Sequence, residues 1–318
     1  MKADPSNAGI SPPRIAVILP CYNEEAAIGE VVREFRAALP EAVIYVYDNN
    51  SRDDTVARAR EAGAVVRRET RQGKGHVVRR MFADVEADIY VLADGDGTYD
   101  AGSAPDMLDK LVSERLDMVV GSRLTAYEGE AFRRGHRFGN DLLTGFLGLC
   151  FGRTFTDILS GYRIFSRRFV KSFPALSTGF ETETELSVHA LELRMPLAEV
   201  STPYRARPAG SASKLRTYRD GFRILIMILN LFKEERPLAF FSIIAGALTL
   251  ASLVLAYPVI RTYMETGLVP RFPTAILSTG LMILATLSLT CGFVLDTVTL
   301  GRREMKRLAY LSIPPLGE

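Results

Sequence analysis

The 318-residue chain has few of the residues from which disulfide frameworks and zinc sites are built. Its three cysteines, Cys21, Cys150 and Cys291, lie far apart without CxxC spacing, which argues against both and fits a reducing compartment. The formal net charge of +2 is too small to indicate a nucleic-acid partner. The opening sequence MKADPSNAGISPPR has no apolar run, so we expect no cleavable signal peptide and predict a flexible arm over residues 1–13.

Charge is missing altogether from two long stretches near the C-terminus. They read PLAFFSIIAGALTLASLVLAYPVI and FPTAILSTGLMILATLSLTCGFVL. At about 1.5 Å per residue, each can cross a hydrocarbon core about 30 Å thick. We therefore predict a pair of transmembrane helices, and a pair of buried core helices is the alternative. The predicted spans are about 238–260 and 273–296, within residues 237–300.

Basic residues flank the outer ends of these two stretches. Lys233 and Arg236 precede the first, and residues 301–318 form a basic tail after the second. The positive-inside bias predicts a multi-pass protein of the inner (cytoplasmic) membrane, with both ends in the cytoplasm and a short external loop. Residues 206–236 include YRDGFRILIMILNLFKEER, which resembles a helix in the membrane interface. An amphipathic helix packed on the soluble domain is the alternative.

Residues 14–205 alternate between strand and helix patterns. The strand-like segments RIAVILP, AVIYVYD, AVVRRE and DIYVLAD are separated by segments with apolar residues at helical spacing. We expect Asn23 to cap the first of these helices. Short strands that alternate with helices predict a parallel α/β sheet with right-handed crossovers. Ligands of such sheets bind beyond the carboxyl ends of the strands.

Polar residues follow three of the predicted strands, in the segments PCYNEE, YDNNSRDDT and DGDGTYD. Asp48 and Asp94 each end an apolar run, where a carboxylate can accept hydrogen bonds from a base or a ribose. Asp96 follows two residues later between glycines and can reach a divalent ion, because Mg²⁺ prefers oxygen ligands and shares carboxylates with substrate phosphates. These residues indicate a nucleotide diphosphate with its metal. A simple Asp-Gly turn is the alternative.

Seven segments in order resemble the family-two glycosyltransferases with a GT-A fold. They are LPCYNEE, YDNNSRDDT, RQGKG, DGDGTYD, GSR, TDILSGYRIFSRR and SASKL. The similarity covers about residues 14–235 and is to the branch of dolichyl-phosphate mannose synthase and bacterial polyprenyl-phosphate glycosyltransferases. It implies an α/β nucleotide-diphospho-sugar transferase (GT-A) domain over 14–205 and a C-terminal two-helix transmembrane hairpin. It also implies inverting hexose transfer to a polyprenyl phosphate in cell-envelope glycan biosynthesis, with uridine as the favoured base and guanosine as the alternative.

The resemblance assigns roles to individual residues of this chain. Those that would bind the nucleotide are Pro20, Tyr22, Glu24, Asp48, Lys74 and Asp94. Those that would hold Mg²⁺ or Mn²⁺ are Asp96 and Asp94. Those that would face the acceptor phosphate are Arg123, Arg133, Arg134, Arg137, Arg207 and Lys214. Those that would act in catalysis are Asp157, Asp96 and Arg123.

Elementary chemistry supports a lipid phosphate as the acceptor. A polyprenyl phosphate is an anion at the membrane surface, and arginine binds phosphate through two parallel hydrogen bonds, which lysine cannot make. Arg205, Arg207 and Lys214 precede the predicted interfacial helix, where a head group would arrive. Simple contact with anionic lipid is the alternative.

An anionic acceptor needs no strong general base, so the role of Asp157 stays open. It can orient the sugar, steer the acceptor, or form a helix cap or a salt bridge to Arg163. Glu181 or Glu183 can reach the pocket, or can simply complement the dipole at a helix start. Gly95 stands where many members of the family have alanine, and we expect little effect because only its backbone carbonyl would be used.

Rival functions differ in acceptor and turnover. A processive polysaccharide synthase shares the GT-A core but carries a QxxRW motif, and this chain has no tryptophan. A membrane-tethered transferase for saccharide or protein acceptors and a non-catalytic nucleotide-binding membrane protein remain as alternatives. The predicted partners are a nucleotide sugar, a polyprenyl phosphate and the membrane, without nucleic acid. The sequence is compatible with a homo-oligomer and leaves the oligomeric state open.

Overall fold

The computed structural model describes residues 12–123, 144–149, 151–152, 155–175, 182–205 and 217–316. The chain divides into two compact units. The first comprises Met1–Ile224 with Lys306–Glu318, and the second comprises Leu225–Met305. Several residues to which we assigned a role lie outside the described residues. They are Arg133, Arg134, Arg137, Glu181, Arg207 and Lys214.

A seven-stranded sheet in the order β3-β2-β1-β4-β6-β5-β7 forms the centre of the first unit. Its strands are β1 (Ile15–Cys21), β2 (Val43–Asp48), β3 (Val65–Arg68), β4 (Ile89–Leu92), β5 (Met118–Ser122), β6 (Arg163–Ser166) and β7 (Leu197–Ser201). The strands pair in parallel except for β6, which runs antiparallel to both β4 and β5. The four predicted strands pair in parallel as expected, in the order β3-β2-β1-β4. The sheet as a whole is mixed because of β6, a strand that the sequence analysis did not predict. Its apolar run indicates a buried strand but carries no information on direction.

The first unit also contains helices, most of which pack against strands of the sheet. They are α1 (Ile28–Ala38), α2 (Thr55–Glu61), α3 (Lys74–Asp84), α4 (Ala104–Ser113), α5 (144–149), α6 (Arg167–Ser172) and α7 (Thr182–Glu192). Helix α1 shows the predicted pattern, because Ile28, Val31, Val32 and Phe35 are all buried on one face. This packing fixes the β1–α1 loop, which carries several of the proposed nucleotide ligands.

Asn23 does not cap α1, contrary to our expectation. The helix begins at Ile28, with Ala27 at the N-cap position. Asn23 instead has a left-handed backbone (φ 53°), and its side-chain oxygen accepts a hydrogen bond from Arg52 N at 2.9 Å. Asparagine tolerates that conformation better than most residues. The side chain therefore ties the loop after β1 to the loop after β2.

Three further helices complete the chain: α8 (Thr217–Glu235), α9 (Pro237–Thr266) and α10 (Phe272–Leu311). Helices α9 and α10 are long and apolar enough to be candidate membrane spans, in agreement with the predicted hairpin. Within the second unit, α10 turns the small residues Ser278, Ala285, Gly292 and Thr299 inward, one every seven residues. Large apolar side chains such as Leu250 and Phe293 point outward and are exposed. A seam of small residues with an apolar exterior suits helix packing in lipid.

The end of α10 belongs to the first unit. Lys306 Nζ lies 2.6 Å from Glu192 Oε2, and the Tyr310 hydroxyl donates to Asp117 at 2.7 Å. The Arg168 guanidinium lies 4.7 Å from the centre of the Tyr310 ring. Asp117 directly precedes β5. The end of α10 therefore packs near the amino ends of the parallel strands, opposite their carboxyl ends.

Candidate active site

Several buried polar residues lie at the carboxyl ends of β1 and β2, which form one edge of the sheet. Asp48, the last residue of β2, is buried, and its Oδ1 accepts from Ser51 N at 3.0 Å. Asn49 follows, and its side chain holds the loop before α3, donating to Glu69 O at 2.9 Å and accepting from Gly73 N at 2.8 Å. Pro20 and Tyr22 lie at the end of β1, and Glu24 is buried beside them in the chain. The predicted nucleotide residues of these two strands thus share one edge of the sheet.

Lys74 lies between two carboxylates. Its Nζ is 2.5 Å from Asp94 Oδ1 and 2.5 Å from Glu183 Oε1. Burial by itself lowers the pKa of the Lys74 ammonium, but the charges and hydrogen bonds of Asp94 and Glu183 outweigh burial and raise that pKa above its ordinary value. Lys74 is also the first residue of α3, where the helix dipole disfavours a cation. The two carboxylates offset that cost and keep the ammonium charged.

Asp96 is buried two residues beyond Asp94. Its Oδ1 accepts from both Thr98 N at 3.1 Å and Thr98 Oγ1 at 2.7 Å. Among the residues that the structure describes, three or more His, Cys, Asp or Glu side chains nowhere come together as a metal site. The donor set fits Mg²⁺ or Mn²⁺, because these ions accept one or two carboxylates and take further oxygens from substrate phosphates and water.

Gly95 packs against Cys21 at the end of β1. A Cβ atom at position 95 would overlap Cys21 Sγ and would lie 3.3 Å from Ile28 Cδ1. Cys21 is buried, so its sulfur has little room to move. Cys21 fills the space that an alanine side chain at this position needs, and the expected small effect on the proposed site stays a prediction.

Arg123 and Asp157 form a buried, bidentate ion pair near the carboxyl ends of these strands. Arg123 Nε lies 2.7 Å from Asp157 Oδ2, and Nη2 lies 2.8 Å from Oδ1. The guanidinium also lies 5.5 Å from the centre of the Tyr204 ring. Of the two structural alternatives for Asp157, a salt bridge does form, but with Arg123 and not with Arg163.

Arg163 is a fully buried cation that fixes the loop carrying Asp157. It donates to Ile158 O at 2.6 Å, to Ser160 O at 2.9 Å and to Ser187 Oγ at 2.9 Å. Burial lowers the pKa of Arg163 to about 10. The backbone N–H of Asp157 is held as well, since it donates to Glu199 Oε1 at 3.3 Å.

Arg205 contacts two carboxylates rather than standing alone. It lies 2.8 Å from Glu34 Oε1 and 2.7 Å from Asp100 Oδ1, and its backbone N donates to Thr98 O at 2.8 Å. The segment after β7 is therefore tied to the loop that carries Asp96. About half of the Arg205 side chain remains exposed.

Sequence reasoning missed several residues that organise the site. They are Asn49, Thr98, Tyr99 and Glu199. Asn49, Thr98 and Tyr99 lie in the segments YDNNSRDDT and DGDGTYD, each within three residues of a proposed aspartate. Tyr99 accepts from Gly161 N at 2.8 Å, and Glu199 acts across two distant segments. Contacts of this kind depend on the sheet order and leave no local sequence signal.

Comparison with known proteins places this geometry in a family. The chain matches the family model described as glycosyl transferase family 2 over residues 16–173. Glycosyltransferase AglJ of Haloferax volcanii is 33% identical over 303 residues, which cover 95% of this chain and 99% of that protein. The dolichyl-phosphate hexose transferase of the same organism is 31% identical over 223 residues, covering 70% of this chain and 95% of that protein.

Solved structures share the same architecture. The glucosyl-3-phosphoglycerate synthase of Mycobacterium tuberculosis, in complex with Mn²⁺, uridine diphosphate and glucosyl-3-phosphoglycerate, matches with a TM-score of 0.56. It is 25% identical, and the match covers 70% of this chain and 79% of that chain. The predicted fold and family are confirmed: the chain is a GT-A-fold member of glycosyltransferase family 2.

Proposed function

We propose that this glycosyltransferase is an inverting, membrane-bound enzyme that moves a hexose from a nucleotide diphosphate sugar to a polyprenyl phosphate on the cytoplasmic face. The observation that carries the membrane location is the pair α9 and α10, whose exposed apolar side chains suit a lipid environment. A relative named as a dolichyl-phosphate hexose transferase supports the same acceptor class. Uridine is the favoured base, supported by the uridine diphosphate bound in the related synthase structure.

The donor site lies at the carboxyl ends of β1, β2 and β4. Asp48 would accept from the base or ribose, and Lys74 would sit beside the nucleotide with Asp94. Asp96, with Asp94, would hold Mg²⁺ or Mn²⁺, and that ion when bound neutralises charge on the diphosphate leaving group. Mn²⁺ in the related synthase structure supports this choice of ion. Asp94 is shared with Lys74, so Asp96 is the stronger candidate ligand.

The chemical step transfers the sugar with inversion. An oxygen of the acceptor phosphate attacks the anomeric carbon, the bond from that carbon to the diphosphate breaks, and the nucleoside diphosphate leaves. Because the attacking oxygen is already anionic, Asp157 need not remove a proton. Its ion pair with Arg123 instead suits a positioning role, in which the carboxylate holds the guanidinium toward the acceptor side of the site.

The acceptor phosphate would be met by basic residues. Arg123 is the proposed ligand within the described residues. Its Nε and Nη2 pair with Asp157, so the guanidinium would attract the phosphate through its positive charge rather than through a second two-point contact. The remaining proposed ligands come from outside the described residues: Arg133, Arg134, Arg137, Arg207 and Lys214. Arg205 contributes by fixing the segment that leads to the last two.

A donor and acceptor panel tests the proposed function. The full-length protein in detergent is incubated with Mn²⁺, radiolabelled UDP-hexoses or GDP-hexoses, and undecaprenyl phosphate, a saccharide mixture or a protein extract. We expect label to move into the organic phase only when the lipid phosphate is present. Label recovered in saccharide or protein instead would favour the tethered transferase, and turnover of no donor would favour a nucleotide-binding protein.

The proposed topology has its own test. We expect the loop between α9 and α10 to lie outside and both chain ends to lie in the cytoplasm. Leu268 is exposed in that loop, so a Leu268→Cys variant should react with a membrane-impermeant maleimide in intact cells. Cysteine placed at Ser312 should react only after the cells are opened. Reaction of the position-268 cysteine only in opened cells would show the topology to be wrong.

A further inference from the structure

Glu183 reaches the donor site from a distant part of the chain. It is the second residue of α7, and its carboxylate contacts the Lys74 ammonium. Its place in the first turn of the helix favours a carboxylate through the helix dipole. Both alternatives raised for this residue from the sequence therefore apply: Glu183 complements the helix start and also faces the site.

The first turn of α7, which carries Glu183, is fixed by Ser187 and Arg163. Ser187 Oγ donates to Glu183 O at 3.0 Å and accepts from Arg163 Nη1 at 2.9 Å. Arg163 also holds the loop of Asp157, so one buried cation anchors both segments. The Glu183 side chain thus stands on a rigid support, which a positioning role requires.

The two carboxylates that contact Lys74 differ in their exposure to solvent. The Asp94 side chain is 30% exposed, whereas the Glu183 side chain is 9% exposed. Asp94 therefore presents oxygen to an incoming ligand, and Glu183 is covered. A buried carboxylate that contacts an ammonium but little solvent can affect the ligand chiefly through that ammonium.

Gly161 shows how closely the group is packed. A Cβ atom at position 161 would lie 2.8 Å from Asp94 Oδ2 and 3.3 Å from Lys74 Nζ. The Asp94 carboxylate is therefore crowded by the backbone at Gly161 on one side and by the Lys74 ammonium on the other, and it has little freedom to move. Loss of one of the two partners of Lys74 would let its long side chain move and would release Asp94 from a single orientation.

We propose that Glu183 is a positioning residue of the donor site: it holds the Lys74 ammonium against Asp94, so that Asp94 meets the nucleotide in one orientation. The inference rests on the proposed function, because it takes Asp94 and Lys74 as nucleotide ligands. It adds a residue that acts on the nucleotide only through Lys74. Glu183 therefore matters for binding only while Lys74 is present.

A double-mutant cycle on nucleotide affinity tests this dependence. Calorimetry with Mn²⁺ and either UDP or GDP, whichever binds the full-length protein more tightly, is run on Glu183→Gln, Lys74→Met and the double variant. We expect Glu183→Gln to weaken binding about tenfold, as for coupled residues in one network. In the Lys74→Met background the same change should cost nothing or restore affinity, because it removes a buried carboxylate that has lost its ammonium.

The chain offers a matched control pair at its surface. Lys110 and Glu114 form a comparable ion pair at 2.7 Å, with both side chains at least one-third exposed. Lys110→Met, Glu114→Gln and their double variant should leave nucleotide affinity unchanged. Glu183→Asp keeps the charge on a shorter side chain and should fall between the wild type and Glu183→Gln.

The outcomes separate this inference from the proposed function. Equal losses from Glu183→Gln in both backgrounds, or no loss in the wild type, would overturn the positioning role. A parallel fall in thermal midpoint and affinity for Glu183→Asp and Glu183→Gln would assign Glu183 a purely structural role. If the cycle behaves as expected but no sugar reaches undecaprenyl phosphate, the proposed acceptor fails and the positioning role stands.

Discussion

Arg123 and Asp157 meet through two parallel hydrogen bonds, with Nε 2.7 Å from Oδ2 and Nη2 2.8 Å from Oδ1. The Asp157 side chain is almost fully buried, and that of Arg123 is mostly buried. A pair in this environment owes its strength to geometry, since each charge has given up most of its water. Arg123 therefore holds the Asp157 carboxylate in place.

Arg123→Ala should weaken both stability and transfer. Removing one partner of a buried ion pair costs about 3–5 kcal/mol, because the other charge is left uncompensated. Arg123→Lys keeps the charge but cannot reproduce the fork, so it should recover only part of the loss. The measurements are the thermal midpoint and the initial rate against undecaprenyl phosphate at saturating donor, with nucleotide affinity expected to stay nearly unchanged.

The double variant Arg123→Ala with Asp157→Asn provides the control. It should be more stable than Arg123→Ala alone, because the unpaired carboxylate has become a neutral amide. If the stability losses of Arg123→Ala and Asp157→Asn, measured separately, add up to the loss of the double variant, the two residues are not coupled. A fall in nucleotide affinity that parallels the rate would place Arg123 at the donor diphosphate instead.

Asp96→Asn should abolish transfer and metal-dependent nucleotide binding with little change in fold. The amide oxygen can still accept from Thr98 N and Oγ1, as Asp96 Oδ1 does, so the turn is preserved while the negative charge is lost. We expect a loss of activity of at least about a hundredfold, in line with the removal of one preorganised electrostatic group. Calorimetry of UDP with and without Mn²⁺ checks the binding. Near wild-type activity in excess Mg²⁺ or Mn²⁺ would remove Asp96 from the metal site.

Gly95→Ala should destabilise the protein by about 1–3 kcal/mol, as for an added methyl group in a well-packed core. The backbone of Gly95 does not have a positive φ, so backbone strain would not be the cause of the destabilisation. The new Cβ atom would instead overlap Cys21 Sγ. Adding Cys21→Ala should restore stability, and thermal unfolding of the single and double variants measures both the loss and the recovery. A Gly95→Ala protein with wild-type stability, or one that Cys21→Ala fails to rescue, would contradict the packing argument.

The sequence was sufficient for the fold and for much of the donor edge. Apolar runs ended by aspartates placed Asp48, Asp94 and Asp96 correctly at the carboxyl ends of strands, because strand ends carry a local signal. The direction of β6 has no such signal, and the sequence analysis predicted neither that strand nor its direction. The Arg123–Asp157 pair joins residues 34 positions apart, and its partners could be chosen only once the sheet order was known.

His189 should make stability fall as the solution becomes acidic. Burial, and then the charge of Lys306, lower the pKa of His189 to about 3 from an ordinary 6.5. The folded protein therefore keeps this ring neutral, and its contribution to stability is complete above pH 6.5 and lost as the pH falls toward 3. At pH 5 the loss is about 2 kcal/mol at 1.36 kcal/mol per pH unit.

A His189→Gln variant isolates that contribution. The ring packs between Phe169 and Phe173, and its Nε2 lies 3.1 Å from Ser172 Oγ, so the variant should be less stable at every pH. Its thermal midpoint should nevertheless fall less between pH 7.5 and pH 5 than that of the wild type, by about 4–8 °C. Identical declines in the two proteins would show that His189 does not titrate in this way.

The products of a single reaction test the proposed chemistry most directly. The full-length protein is supplied with Mn²⁺, undecaprenyl phosphate and the radiolabelled nucleotide sugar that it accepts, and both the lipid and the released nucleotide are quantified. We predict one nucleoside diphosphate for each sugar that enters the organic phase, because the acceptor phosphate replaces the diphosphate at the anomeric carbon. Nucleoside monophosphate released with a sugar phosphate on the lipid, or labelled sugar that never becomes lipid-linked, would contradict glycosyl transfer to a polyprenyl phosphate.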